Sequence, residues 1–114
     1  MARFEYVEWL VTWLFSRNDL VFDWDDGNEH KIAQKHGVEV GSAEQVFRNE
    51  DVLVPLGIQV APTADEPRFG VLGCDSSGRL LAISFTVRGG KIRVISARAM
   101  SRSERKKYAA LRKE

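Results

Sequence analysis

Arg68, Thr86 and Arg93 carry the chemistry most worth explaining in this 114-residue sequence, because neighbouring strands would bring the three side chains together. Guanidinium forks match phosphate oxygens two at a time, and charge-assisted hydrogen bonds of this kind are the strong ones. Arg93 sits inside the alternating run Lys91-Ile92-Arg93-Val94-Ile95, where a core-building strand rarely places a full charge. It needs a carboxylate partner or an anionic ligand. The competing assignment pairs Arg68 with Asp65 or Glu66, and Arg93 with another acid, since exposed ion pairs are common. His36 is the group suited to proton transfer near neutral pH, although a single helix-terminal histidine also serves as a cap or dipole partner. Asp23, Asp25, Asp26, His30 and His36 fit no metal-ligand spacing, so no metal or other cofactor is expected. Cys74, the one cysteine, has no evident activating partner and reads as inert.

A meander must position these groups. Phe69–Cys74, Leu80–Arg88 and Lys91–Ala97 read as strands, separated by Asp75-Ser76-Ser77-Gly78 and by Gly89-Gly90. A two-residue turn at Gly89-Gly90 pairs Arg88 with Lys91, Thr86 with Arg93 and Phe85 with Val94. A three-residue loop with a bulge at Gly78 pairs Cys74 with Leu80 and Arg68 with Thr86. That register puts Phe69, Val71, Leu81, Ile83, Phe85, Val87, Ile92 and Val94 on a core face. The opposite face receives Arg68, Ser84, Thr86, Arg88, Lys91 and Arg93 as a basic polar strip.

Before the meander, residues 4–16 read as an apolar helix with a polar stripe of Glu5, Glu8 and Thr12. It is too short to span a bilayer, and the sequence lacks the marks of a signal peptide. Its wide apolar surface packs on the domain, with part left to meet a second chain. Residues 20–24 read as a short strand. Asp25 or Asp26 caps a helix ending at His36 and Gly37, and a second helix opens at Ser42 with Gln45 in a capping box. Val52-Leu53-Val54-Pro55 is a short strand or edge, and 56–67 form one long loop. After the meander, Ser101 and Glu104 make another capping box and open a basic helix.

Length predicts a single domain over residues 1–114, with 1–19 as an N-terminal helical extension. The lone cysteine suits a reducing cytoplasm. Residues 91–114 hold nine Lys/Arg against two acids, a net of +7, while residues 1–90 hold eight against fourteen, a net of −6. Such asymmetry points to a polyanion site, with nucleic acid the usual candidate, or to a solvated basic helix.

Several stretches together resemble the BrnT family of toxins. They are Phe22-Asp23-Trp24-Asp25, Lys35-His36-Gly37-Val38, Glu44-Gln45-Val46-Phe47, Glu66-Pro67-Arg68-Phe69, Gly78-Arg79-Leu80-Leu81 and Ile92-Arg93-Val94-Ile95-Ser96-Ala97-Arg98, followed by Glu104-Arg105 and Tyr108. The resemblance covers about residues 21–112. It implies an α+β, RelE-like fold: an antiparallel meander with helices packed on one face and a basic C-terminal helix. It also implies a cytoplasmic ribonuclease that cleaves RNA without metal, through the substrate's own 2′-OH, and stops translation. The partners implied are RNA and a BrnA-like antitoxin that binds operator DNA, in a homodimer or a toxin–antitoxin hetero-oligomer, with no membrane. In that mechanism Arg68 and Arg93 stabilise the phosphate, His36 is the acid or base, and Thr86, Arg88, Lys91 and Arg98 hold the RNA backbone. The chain departs from the family at residues 4–16, which lie outside the usual core, and at Ile32, where many relatives carry Asn. The alternative is a non-catalytic homologue that acts as partner or corepressor of a DNA-binding antitoxin.

Overall fold

Alternating apolar residues and tight glycine turns decide the sheet. In a computed structural model residues 3–16, 19–60 and 66–112 are described, Arg3 by its backbone alone. The elements are β1 (Arg3–Glu5), α1 (Glu8–Phe15), α2 (Asp26–His36), α3 (Val40–Arg48), a 3-10 turn at Glu50–Val52, β2 (Val54–Val60), β3 (Phe69–Cys74), β4 (Leu80–Arg88), β5 (Lys91–Ala99) and α4 (Arg102–Arg112). The fold is α+β, with one antiparallel five-stranded sheet in the order β1-β2-β3-β4-β5. No described helix is long and apolar enough to cross a membrane.

The meander register is the expected one: Arg88 pairs with Lys91, Thr86 with Arg93, Phe85 with Val94, and Cys74 with Leu80. Gly89 and Gly90 both take positive φ (56° and 77°), as a two-residue hairpin turn of this type requires. Phe69, Val71, Leu81, Ile83, Phe85, Ile92 and Val94 are buried against Leu10, Leu14, Ile32, Val38, Val46 and Phe47 from the helices. Phe47 meets Phe85 edge-on at 5.0 Å in the middle of this core.

The opposite face is not polar throughout. Leu72, Ala82, Met100 and Tyr108 form a second, smaller core there, with α4 lying across it. The Tyr108 hydroxyl donates to the carbonyl of Val52 at 2.5 Å and fastens that helix. A bulge at Ile95 of β5, opposite Ser84 and Phe85, separates this apolar end from the polar end that carries Arg93.

The N-terminal segment differs from the expected helix over residues 4–16. Its first residues form the edge strand β1, with Phe4 paired to Gln59, and only Glu8–Phe15 are helical. The expected loop from residue 56 is correspondingly strand as far as Val60. Pro55 ends the expected short strand, and Gly57 falls in the expected loop. In the fold they flank a bulge between β2 and β3. Gly57 has φ +107°, and a Cβ there would sit 1.9 Å from the carbonyl oxygen of Glu5, so glycine is what lets β1 approach. Trp9 still packs on the domain, edge-on to Phe69 at 5.4 Å.

Two other boundaries move. The expected strand at 20–24 reduces to one parallel bridge, Phe22 to Ile92, on the outer edge of β5. The third helix starts at Val40, two residues before Ser42, and Gln45 accepts a hydrogen bond from the Ser76 backbone instead of closing a capping box.

Candidate functional site

Helix α2 is fixed at both ends, and that determines which way its charges point. At its start, Asp25 accepts from the Asn28 N–H at 3.0 Å, and the Asn28 side chain accepts from the Asp25 N–H at 2.8 Å. The same buried Asn28 amide donates to the carbonyls of Asp23 (3.1 Å) and Val94 (3.2 Å), binding the helix to β5. At its end Gly37 adopts the left-handed conformation, φ 63°. Arg79 then donates to the carbonyls of Gly37 and His36, at 3.0 and 3.2 Å.

So held, α2 presents Lys31, Lys35 and His36 to a groove of about 250 Å³. Gln59 of β2 and Arg68, just before β3, line the other side, and Ser84 and Ser96 lie in its floor. Ser84 and Ser96 are cross-strand partners. Three cations and a histidine thus share one groove, and no described carboxylate lines it. The Arg68 side chain makes no hydrogen bond or salt bridge to any described residue: of its two expected partners, Glu66 bridges Arg88 and reaches Arg68 only through its field, and Asp65 lies outside the described residues. The groove extends both ways. Lys31 also lines a hollow with Gly27, Asn28 and Arg93. Ser84 and Ser96 also line a narrower cleft of about 110 Å³ with Phe4, Leu56, Arg98 and Glu104.

The other expected anion-binding residues are occupied. Arg93, only 19% exposed, donates to Asp25 at 2.8 Å and lies 3.6 Å from Asp23. The Asp25 carboxyl is held below its usual range, chiefly by the Asn28 N–H and then by Arg93. Arg88 forms a two-pronged pair with Glu66 at 2.7 and 2.9 Å, which lowers the Glu66 pKa and raises that of Arg88. Arg98 does the same with Glu104 at 2.6 and 2.8 Å. With the Ser101 N–H also donating to it, Glu104 is drawn down to about 2.

Thr86, expected to hold RNA backbone, is 1% exposed, and its hydroxyl donates to the Pro67 carbonyl at 2.7 Å. An external phosphate cannot reach it. Its place is structural, because that bond fixes the approach to Arg68. Lys91 is exposed at the hairpin tip, away from the groove lining. Lys31, Gln59 and Phe4 join a site only through the fold, and Lys35 gains its role there. The signal available for the lysines was their spacing: Lys31 and Lys35 are one turn apart, and Lys35 precedes His36.

Among the described residues no group of three or more His, Cys, Asp or Glu is placed to hold a metal. Asp23 and Asp25 face Arg93 instead.

A basic groove of this kind is a site for an anion, and comparison with known proteins gives its class. The family described as "Ribonuclease toxin, BrnT, of type II toxin-antitoxin system" matches residues 24–104, and the chain belongs to that family. Among solved structures it is similar to the Brucella abortus ribonuclease toxin BrnT. The identity is 24% and the TM-score 0.46, covering 74% of this chain and 100% of that one. No curated protein matches. β1 and α1 precede the matched residues.

Proposed function

We propose that this chain is a RelE-like endoribonuclease toxin that cleaves RNA without metal in the cytoplasm, thereby stopping translation, and is neutralised by a BrnA-like antitoxin. Family membership supplies the toxin class. The observation that carries the site is the groove in which Lys31, Lys35, Arg68 and His36 converge with no described carboxylate in its lining. An anionic backbone is drawn to such a groove, and a polymer can run along it in both directions.

The reaction needs few groups. A base takes the proton of the 2′-OH, the O2′–P bond forms, and a pentavalent phosphate gathers charge. The P–O5′ bond then breaks while an acid protonates O5′, leaving a 2′,3′-cyclic phosphate and a 5′-hydroxyl. Arg68, supported by Lys31 and Lys35, stabilises the charged phosphate. His36 transfers one of the protons. Arg93 acts at one remove: by gripping Asp25 and Asp23 it holds the start of α2 against β5 and so positions Lys31. Lys91 and Arg98 stand along the path of the RNA backbone, Arg98 in the narrower cleft.

The test is single-turnover cleavage of RNA by the wild-type chain and by His36→Gln, with EDTA present. Loss of a general acid or base lowers the rate by about 10²–10⁴-fold. The expected result is wild-type cleavage in EDTA, growth arrest on expression, relief by a co-expressed antitoxin, and a loss of that size in the variant. A wild-type chain that binds antitoxin but cleaves nothing would establish the non-catalytic partner instead. Equal rates for the two proteins would remove His36 from the chemistry.

A further inference from the structure

We propose that Phe4, supplied by the N-terminal strand outside the family-matched region, stacks on an RNA base next to the scissile phosphate and so sets nucleotide preference. The inference rests on the ribonuclease reading of the groove above.

Phe4 belongs to neither core of the protein. It is half-buried, and its place is set by the pairing of β1 with β2, which seats Phe4 opposite Gln59. Gln59 lines the basic groove, and Phe4 lines the cleft that continues it. The shared floor is the Ser84–Ser96 pair. An aromatic ring therefore stands one step along the same surface from Arg68.

The sheet makes room for this ring. Gly70 is Phe4's support: a Cβ on Gly70 would come within 2.6 Å of Cε1 and 2.7 Å of Cζ of the ring. Gly57 lets β1 approach at all, since a Cβ there would meet the Glu5 carbonyl oxygen at 1.9 Å. Two glycines in adjacent strands thus keep space for one edge strand and its phenyl ring. A single-stranded RNA whose phosphate lies against Arg68 and Lys35 has its neighbouring base to place, and base–aromatic stacking is the sequence-tolerant way to hold it. Purines, with the larger π-face, are the bases such a platform favours. The charge of the groove identifies the occupant: phosphates beside the cations, with the ring in the cleft that shares the groove's Ser84 and Ser96.

The experiment compares wild type, Phe4→Ala, Phe4→Leu, Phe4→Trp and Arg68→Ala. Cleavage is measured on RNAs that differ only in the base flanking the cut, and binding on the same oligonucleotides with 2′-O-methyl groups, which cannot be cut. Phe4→Leu keeps an apolar cover on Gly70 without a π-face, so it controls for packing. The expected result is a kcat/KM loss of about 10–100-fold in both Phe4→Ala and Phe4→Leu, recovery in Phe4→Trp, and a flattened purine preference. Thermal midpoints of Phe4→Leu and wild type should agree. If wild type cleaves and Arg68→Ala does not, yet Phe4→Ala and Phe4→Leu keep wild-type rates and base preference, the stacking proposal is wrong while the groove assignment stands. Unchanged cleavage together with weaker antitoxin binding would assign Phe4 to the antitoxin interface and equally overturn it. If wild type neither binds nor cleaves RNA, the ribonuclease reading itself fails.

Discussion

Two sets of cations stand on the sheet and on the helix α2 beside it, and they differ in one respect. Arg88, Arg93 and Arg98 each face an acid: Glu66, Asp25 with Asp23, and Glu104. Arg68, Lys31 and Lys35 face one another and His36 across a groove without a described acid. Residue type is the same in both sets, so the difference lies in what the fold brings opposite. A paired guanidinium ties elements together. An unpaired group of cations raises a local positive potential, which is repulsive in the empty protein and becomes favourable when an anion enters. The paired set ties the frame together, and the proposed site rests on the other set.

The sharpest way to break this comparison is to remove one arginine from each set. Arg68→Ala should reduce RNA cleavage by about 10²–10³-fold, the usual cost of losing one well-placed donor to a charged transition state. Its melting temperature should hardly move, since no described partner loses a bond. Arg93→Ala should show the reverse: a lowered melting temperature, because Asp23 and Asp25 are left facing each other's charge, with cleavage reduced by less than about tenfold. Cleavage rates and thermal denaturation of the two variants decide it. Equal loss of cleavage with no loss of stability in Arg93→Ala would return Arg93 to direct phosphate contact.

Why the two sets could not be told apart in the sequence follows from where the partners lie. The strand register was legible, because Gly89-Gly90 and Asp75-Ser76-Ser77-Gly78 leave few ways to join alternating strands. Which residues share a face followed from that. Arg93, however, meets an aspartate 68 positions away, and nothing local announces the pairing. Glu104 was legible as a capping residue, yet its second role, binding Arg98, needed the position of α4 across the sheet. The edge strand was hidden for a different reason. Phe4-Glu5-Tyr6 has a helical continuation in Glu8–Phe15, and most of its partner strand, from Leu56 through Gly57 to Val60, reads as loop. The tertiary approach of β1 to β2 overrides both local signals.

The next prediction tests the framing role of a paired residue by pH. Glu104 has a folded pKa of about 2 against an ordinary value of 4.5. A carboxylate depressed on folding stabilises the protein above its unfolded pKa, and that stabilisation fades as pH falls through the folded value. Between about pH 4.5 and 2 the anchorage of α4 should therefore weaken progressively. Glu104→Gln should cost roughly 1 kcal/mol at neutral pH, combining a partly screened pair with a lost capping-box bond. The variant should also lose that part of the acid dependence. Urea midpoints for both proteins across the acid range measure it. Parallel curves would mean that Glu104 contributes no titrating stability and that α4 is held by Tyr108 and Met100 alone.

The smallest expected effect is the most direct test of whether pairing is what keeps an arginine off the RNA. Arg88 lies on the same exposed strand end as the groove's approach and is occupied by Glu66, two residues before Arg68. Both side chains are exposed, so the fold does not depend on them. Glu66→Gln leaves Arg88 without its anion and free to meet a phosphate. One extra phosphate contact on a single strand should steepen the slope of log affinity against log salt by about 0.7. Glu66 also lowers the local potential felt by Arg68 and Arg93, as the pull of all three arginines on its own pKa indicates. Glu66→Gln therefore changes two things, and Arg88→Ala in the same background separates them. If the steeper slope vanishes in the double variant, the new contact was made by Arg88. If it persists, relief of the field at Arg68 is responsible. Binding of the uncuttable RNA across a salt series gives both slopes. An unchanged slope in Glu66→Gln would place Arg88 beyond the reach of the RNA, and the two sets of cations would then differ by position and not by pairing.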